Sequence, residues 1–292
     1  MIREEGYVLW EELREEEFDK AVEMTGGLCI VPIGCFEMHG QHLPMATDVI
    51  QAEVFAEEAA KLESACIFPA FRFGDVAGLV DLKGGIRLDP ELILKLLENL
   101  CDEIARNGFK KILFVNYHGG NQYLLGYFTR STMYKDRDYI VAWKNAWDVT
   151  SPKKLAQQIL DEGRGIFPEL LPEDEDVLID QLENNKPDGH GGLDETSVMM
   201  AIRPELVEMD REPVVSGLSK NKLSALQKAK VHGGFFWNVN YNFSYAGVAQ
   251  GSSERIGKLL LRLRVENLAE AYRALKEDTD AVAWFEEHRK YY

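Results

Sequence analysis

The chain has 292 residues, with 49 acidic against 33 basic side chains and a formal net charge of −16 at pH 7, a balance that repels phosphate backbones and excludes nucleic acid and anionic membrane surfaces as expected partners. No apolar run approaches the ~18–20 residues of a membrane helix, and the acidic start "MIREEGYVLWEELREEEFDK" has no signal-peptide core, so a cytoplasmic protein is expected. Its four cysteines, Cys29, Cys35, Cys66 and Cys101, form no C-x-x-C pair and read as buried free thiols of a reducing compartment.

In chain order, "LCIVPI" (28–33) is short, apolar and β-branched, as expected of a strand buried on both faces. "QAEVFAEEAAKLES" (51–64) has a helical pattern and "CIFPAF" (66–71) that of a second strand. "DPELILKLLENLCDEIARNG" is the clearest helix: Asp89 caps it, Pro90 fits its first position and Gly108 ends it. Its apolar stripe is Leu92, Ile93, Leu96, Leu97, Leu100 and Ile104. "KKILFVNYHGGN" is a third strand (111–116) running into a turn with His118, and "YIVAW" (139–143) a fourth. The acidic, turn-rich segment 161–189 reads as an excursion, "DETSVMMAI" (194–202) as a helix entry, and residues from about 253 to 277 as a long C-terminal helix. Strands alternating with helices predict an α/β fold with a mostly parallel sheet. With no linker to divide the chain, one domain over 1–292 is expected.

The stretch "GCFEMHGQHLPMATD" packs two carboxylates and two imidazoles directly after the first long strand. If it stays extended, Glu37 and His39 face the same way. His118 follows the end of strand 111–116, and open parallel sheets bind ligands beyond the carboxyl ends of their strands. Asp48, past the turn at "QHLP", can fold back onto the same crevice. Carboxylates mixed with imidazoles suit zinc, manganese or iron, and one carboxylate can bridge a pair of cations. His42, His232 and His288 read as ordinary hydrogen-bonding histidines. No G-x-G-x-x-G follows the first strand, which argues against a Rossmann nucleotide site.

"VPIGCFEMHGQHLPMATD", "VNYHGGN" and "GHGGLDETSVMMAI" resemble, in order, the three signature blocks of the creatininase (creatinine amidohydrolase) family. "YAGVAQGSSERIGKLLL" is a weaker likeness to its closing segment. The resemblance implies a three-layer α/β/α sandwich and a dinuclear site holding divalent ions, zinc and/or manganese, with iron as a third candidate. On the matching positions, one ion takes Glu37, Asp48 and His118, and the other takes His39 and the bridging Asp48. The glutamate that completes the second ion in creatininases proper is Gly120 here, so Glu195 is the expected substitute ligand. His190 matches the family histidine that handles protons and makes up the expected catalytic pair with Glu195. The implied reaction is hydrolysis of a carbon–nitrogen amide-type bond (a cyclic amide, a formamide or similar) by a hydroxide held at the metal pair. His190, or a neighbouring carboxylate, then gives a proton to the leaving nitrogen. Asn116 and Asn121 are expected to fix the loop around His118.

The chain departs from creatininase proper where that enzyme contacts substrate. Gly119 stands in place of a tyrosine, Lys186 and Pro187 in place of a tryptophan–aspartate pair, and "DLKGGIRLD" (81–89) in place of "FPGT". Creatinine itself is therefore not the expected substrate. A small-molecule amide is, and the resemblance implies a homo-oligomer, often a hexamer. The alternatives are a non-catalytic ligand-binding or scaffold protein that retains the fold, and a family peptidase acting in cofactor maturation. "KNKLSALQKAK" and "GGFFWNVNYNFSY" read as a solvated helix with a core or interface segment, or as a basic, aromatic rim for a phosphorylated or carboxylated heterocycle.

Overall fold

A computed structural model describes residues 6–78, 82–214, 217–241 and 244–291. The described residues form a parallel sheet of β1 (Val8–Leu9), β2 (Leu28–Ile33), β3 (Cys66–Ile67), β4 (Lys111–Asn116) and β5 (Ile140–Asn145), in the order β1-β3-β2-β4-β5. A small antiparallel pair, β6 (Asp188–His190) and β7 (Ala246–Gly247), lies apart from it. The helices along the chain are α1 (Phe18–Met24), α2 (Thr47–Leu62), α3 (Pro90–Arg106), α4 (Asn121–Ser131), α5 (Pro152–Glu162) and α6 (Pro172–Glu183). They continue with α7 (Leu193–Ile202), α8 (Ser224–Lys228), α9 (Phe236–Asn240), α10 (Glu254–Glu277) and α11 (Asp280–His288). None of the helices among the described residues is long and apolar enough to cross a membrane.

The three layers follow from the two-residue period of a strand. On β2, Leu28 and Ile30 join a cluster with Phe55 and Ala56 of α2 and Leu259, Leu260 and Leu268 of α10. The intervening Cys29, Val31 and Ile33 join Ile93 and Leu97 of α3 and Leu125 and Phe128 of α4 on the opposite face. β4 splits likewise, Leu113 and Val115 to one cluster and Ile112 and Phe114 to the other. A sheet covered by helices on both faces needs apolar residues at every position, which is why these strands read as unbroken hydrophobic runs.

Asp89 caps α3 as its sequence predicts, its Oδ1 accepting from the amides of Glu91 (2.9 Å) and Leu92 (3.3 Å). The buried stripe is narrower than expected: Ile93, Leu97, Cys101 and Ile104 are covered, while Leu92 and Leu96 are 45% and 40% exposed. The strand expected over 66–71 narrows to Cys66–Ile67, since Pro69 has no amide to donate. Phe71 nonetheless donates to the Pro32 carbonyl at 2.8 Å. α2 starts four residues earlier than predicted, which puts Asp48 in its first turn rather than in a loop. The acidic segment 161–189 contains α6, whose Leu178 is fully buried in the α2–α10 cluster.

Strand order fixes where a ligand can enter. β2 leads into α2 on one face of the sheet, and β4 leads into α4 on the other. The loops leaving these adjacent strands diverge and leave a crevice beyond their carboxyl ends.

One buried charge spans three elements behind that crevice. Arg264 of α10 is fully buried. It donates from Nη1 to Asp194 Oδ1 (2.7 Å) and the Tyr117 hydroxyl (2.8 Å), and from Nη2 to Asp194 Oδ2 (2.5 Å) and the Thr150 carbonyl (3.2 Å). Arg264→Met removes the donor that these three partners share and is expected to cost about 3–5 kcal/mol, the usual penalty for breaking a buried pair from one side. A urea midpoint lowered with an unchanged m-value checks this, and an unshifted midpoint refutes it.

Candidate metal centre

β2 leaves the sheet at Gly34, where a side chain's first carbon would lie 2.6 Å from the amide nitrogen of Val49. Glycine there lets the strand end press against the start of α2, so the loop carrying Glu37 and His39 meets the helix turn carrying Asp48. The end of β4 brings His118, β6 brings His190, and the first turn of α7 brings Glu195. All six side chains expected at the site lie in one cluster.

Asp48 is its hinge. It is buried, and its two oxygens diverge, Oδ1 lying 2.9 Å from His39 Nε2 and Oδ2 3.2 Å from His118 Nδ1. His39 Nε2 also lies 3.7 Å from Glu195 Oε2, and His118 Nδ1 lies 2.8 Å from Glu37 Oε1. Two ligand sets share the aspartate: Glu37, Asp48 and His118 (with Cys35 beside them), and His39, Asp48 and Glu195. Within each set the ligand atoms lie within 4.8 Å of one another. The His190 ring stacks on His39 with centroids 3.9 Å apart, and its Nε2 donates to the Met38 carbonyl at 2.9 Å.

The hydrogen bonds around the imidazoles test whether cations fit. His118 donates from Nε2 to the Asp75 carbonyl at 2.8 Å, and His39 faces the Glu37 carbonyl through Nδ1 at 3.2 Å. A neutral imidazole that donates from one nitrogen presents a lone pair at the other. Both lone pairs then point at carboxylate oxygens, which is repulsive unless a proton or a cation lies between. Glu37 Oε1 is buried and has no hydrogen-bond partner, although His118 Nδ1 is only 2.8 Å away. Histidines anchored through the far nitrogen are the usual arrangement around a bound metal. The donor sets fit a pair of divalent ions.

Without metal, protons take that place. Burial opposes charge on His39, but Asp48 and Glu195 outweigh it and push its pKa up to about 10. Burial likewise opposes charge on His118, and Glu37 is the largest influence raising it well above the ordinary range. Burial pushes Glu195 up to about 8, whereas burial and then the neighbouring His39 bring His190 down to about 4.

Asn116 and Asn121 hold the loop as expected. Asn116 accepts from the His118 amide (3.0 Å) and donates to its carbonyl (2.9 Å), while Asn121 accepts from the Asp75 amide at 2.8 Å. His42 lies away from the ligand sets, its Nε2 3.0 Å from both the Gly191 carbonyl and Thr196 Oγ1. His232 is exposed, and His288 is half-buried with its Nδ1 2.7 Å from the Trp284 carbonyl. Of the aromatic segment, Trp237 sets its edge against His190 at 5.3 Å between centroids, Phe235 is exposed, and Phe243 lies outside the described residues, as does Asp81 of the 81–89 stretch. Lys220, Lys222, Lys228 and Lys230 are all exposed. Sequence reasoning included Trp237 in its candidate aromatic rim but missed the Arg264 brace and the special position of Cys35. The one signal available for Cys35 was its place two residues before Glu37, on the same side of an extended segment.

A family model described as "Creatininase: Creatinine amidohydrolase" matches residues 11–272. The chain is 25% identical to the creatinine amidohydrolase of Pseudomonas putida over 210 residues, 68% of this chain and 74% of that protein. Among solved structures it resembles a candidate creatinine amidohydrolase from Bacteroides fragilis NCTC 9343, with a TM-score of 0.72 and 24% identity over 94% of this chain and 98% of the other. A Zn–Zn creatininase variant aligns with a TM-score of 0.69 and 22% identity, over 93% and 99% of the two chains. The manganese form of creatininase gives a TM-score of 0.65 and 21% identity, over 93% and 100%. These likenesses to solved structures carry the fold.

The shifted groups give a pH signature with a definite sign. His39 is raised from 6.5 to about 10, so its stabilising contribution is complete below about 6.5 and disappears as pH rises through about 10. Glu195, raised from 4.5 to about 8, adds a cost that grows over that interval, in the same direction. Metal-free protein is therefore expected to lose stability in denaturant titrations between pH 7 and 10. Zinc uptake at pH 7 is expected to release protons, read as a buffer-dependent binding enthalpy. Flat stability and a buffer-independent enthalpy would refute the arrangement.

Proposed function

Since this chain belongs to the creatininase family, we propose that it is a metal-dependent amidohydrolase with a dinuclear centre built on Asp48. One position would be held by Glu37, Asp48 and His118, and the other by His39, Asp48 and Glu195. The observation that carries this reading is the pair of imidazole lone pairs aimed at buried carboxylate oxygens, with Glu37 Oε1 left unpartnered. Zinc or manganese is the natural occupant, given relatives of both kinds and a mixed oxygen and nitrogen donor set. Divalent ions there supply a Lewis acid and a nucleophile usable at neutral pH.

The chain's own residues do the rest. His190, neutral with its Nε2 hydrogen held by the Met38 carbonyl, keeps its other nitrogen free to accept a proton and pass it to the leaving nitrogen. Its Nε2 lies 3.7 Å from Glu37 Oε1 and its ring stacks on His39, which holds the imidazole beside the centre. Gly119, where a side chain would meet nothing within 4 Å, opens the mouth that a tyrosine narrows in creatininase proper, and Trp237 supplies an aromatic edge from another segment. The substrate is thus a cyclic amide, formamide or similar small amide other than creatinine. A homo-oligomer goes with this reading, and the exposed Leu92, Leu96, Tyr123 and Tyr127 of α3 and α4 offer apolar area for subunit contacts.

Purified protein is expected to carry about two transition-metal ions per chain and to hydrolyse members of a panel of formamides, lactams and short peptides. His118→Ala should lower turnover by at least about 100-fold with loss of metal. His190→Gln should lower kcat by about 10²–10⁴ with the metal retained and KM little changed. Creatinine turnover matching that of other small amides would refute the substrate assignment. Protein that cannot be loaded with metal would refute the enzyme.

A further inference from the structure

Three of the four cysteines, Cys29, Cys66 and Cys101, lie in the apolar cluster between the sheet and α3. Cys35 does not. Its Sγ donates to Asp48 Oδ2 at 3.1 Å, and it forms one group with Glu37, Asp48 and His118 whose ligand atoms lie within 4.8 Å of one another. A second, independent observation points to a ligand here: Glu37 Oε1, in the same group, is buried without a hydrogen-bond partner. Val76 and Leu82 pack against Cys35 and close this side of the centre with apolar surface.

We propose that Cys35 is a fourth protein ligand to the ion held by Glu37, Asp48 and His118, so that the two metal positions are unequal. The inference rests on the metal-hydrolase reading above and deepens it. Four protein donors leave zinc no open place, as in structural sites, whereas three protein donors and an open place characterise catalytic ones. The position of His39, Asp48 and Glu195 has three donors and is the one that meets substrate. A thiolate also favours zinc over manganese at the Cys35 position. On coordination the Cys35 sulfur gives up its proton to solvent and exchanges its hydrogen bond to Asp48 for a bond to the ion. Asp48 Oδ2 and Glu37 Oε1 would bind the same ion, so neither of these two oxygens is left without a partner.

Cobalt(II) reports the difference directly, because a thiolate bound to cobalt gives an intense near-ultraviolet charge-transfer band that oxygen and nitrogen donors do not. The full-length protein loaded with cobalt(II) is expected to show this band, with Cys35→Ser losing it and Cys101→Ala keeping it. Dialysis of the zinc-loaded protein against a mild chelator should leave one ion per chain in the native protein and strip both from Cys35→Ser. Two bound cobalt ions without the band in the native protein overturn the proposal and leave the hydrolase reading intact. Equal loss of both zinc ions from the native protein does the same. A protein that binds neither cobalt nor zinc overturns both. The native spectrum alone decides the matter if Cys35→Ser fails to fold.

Discussion

Much of the architecture depends on the guanidinium of Arg264. A charge removed from water is costly unless its donors are met, and this one is met by Asp194, Tyr117 and the Thr150 carbonyl. Tyr117 immediately precedes His118 at the end of β4, and Asp194 immediately precedes Glu195 in α7. One rigid fork on α10 therefore ties together two segments whose next residues face the metal centre. Its Nε has no partner, so the group is not perfectly satisfied. The chain tolerates that cost where three distant parts of the sequence have to be held in fixed relation. Metal ligands must be placed to within a few tenths of an ångström, and a planar fork meets that demand better than apolar packing, which permits sliding.

On the crevice side, the governing fact is a concentration of negative charge. Glu37, Asp48 and Glu195 face two imidazoles across distances of 2.8–3.7 Å. The first turn of α2 eases the burden on Asp48, since exposed amides at a helix start favour a carboxylate. Glu195 also lies in a helix's first turn and accepts from the Gly191 amide at 2.6 Å, yet burial pushes it toward the protonated form. The cluster is thus stable only with protons or cations inside it, which links metal occupancy to pH and to folding.

Much of this was legible from sequence where the signal was local. β2 and β4 stand out as unbroken apolar runs because both their faces are covered, and Glu37, His39 and His118 stand out because they follow those runs directly. Asp48 was found but placed in a loop, since its helix begins on "MATD" without a strong capping residue. Glu195 looks like any acidic residue in a helix's first turn, and only the family likeness singled it out. Arg264 was illegible because its partner Asp194 lies seventy positions away, although an arginine among Leu260, Val265 and Leu268 is itself a clue. α6 was hidden by its acidic composition, which masks the single deeply buried leucine that seats it.

Gly120 bears on how this branch relates to its relatives. The first carbon of a side chain there would lie 2.6 Å from both the Asp75 carbonyl oxygen and His118 Nε2, the pair whose hydrogen bond orients His118. The place from which the other enzymes extend their glutamate is therefore already occupied. A side chain introduced at Gly120 reaches the centre only if His118 or the Asp75 carbonyl, in the segment after β3, is first pushed aside.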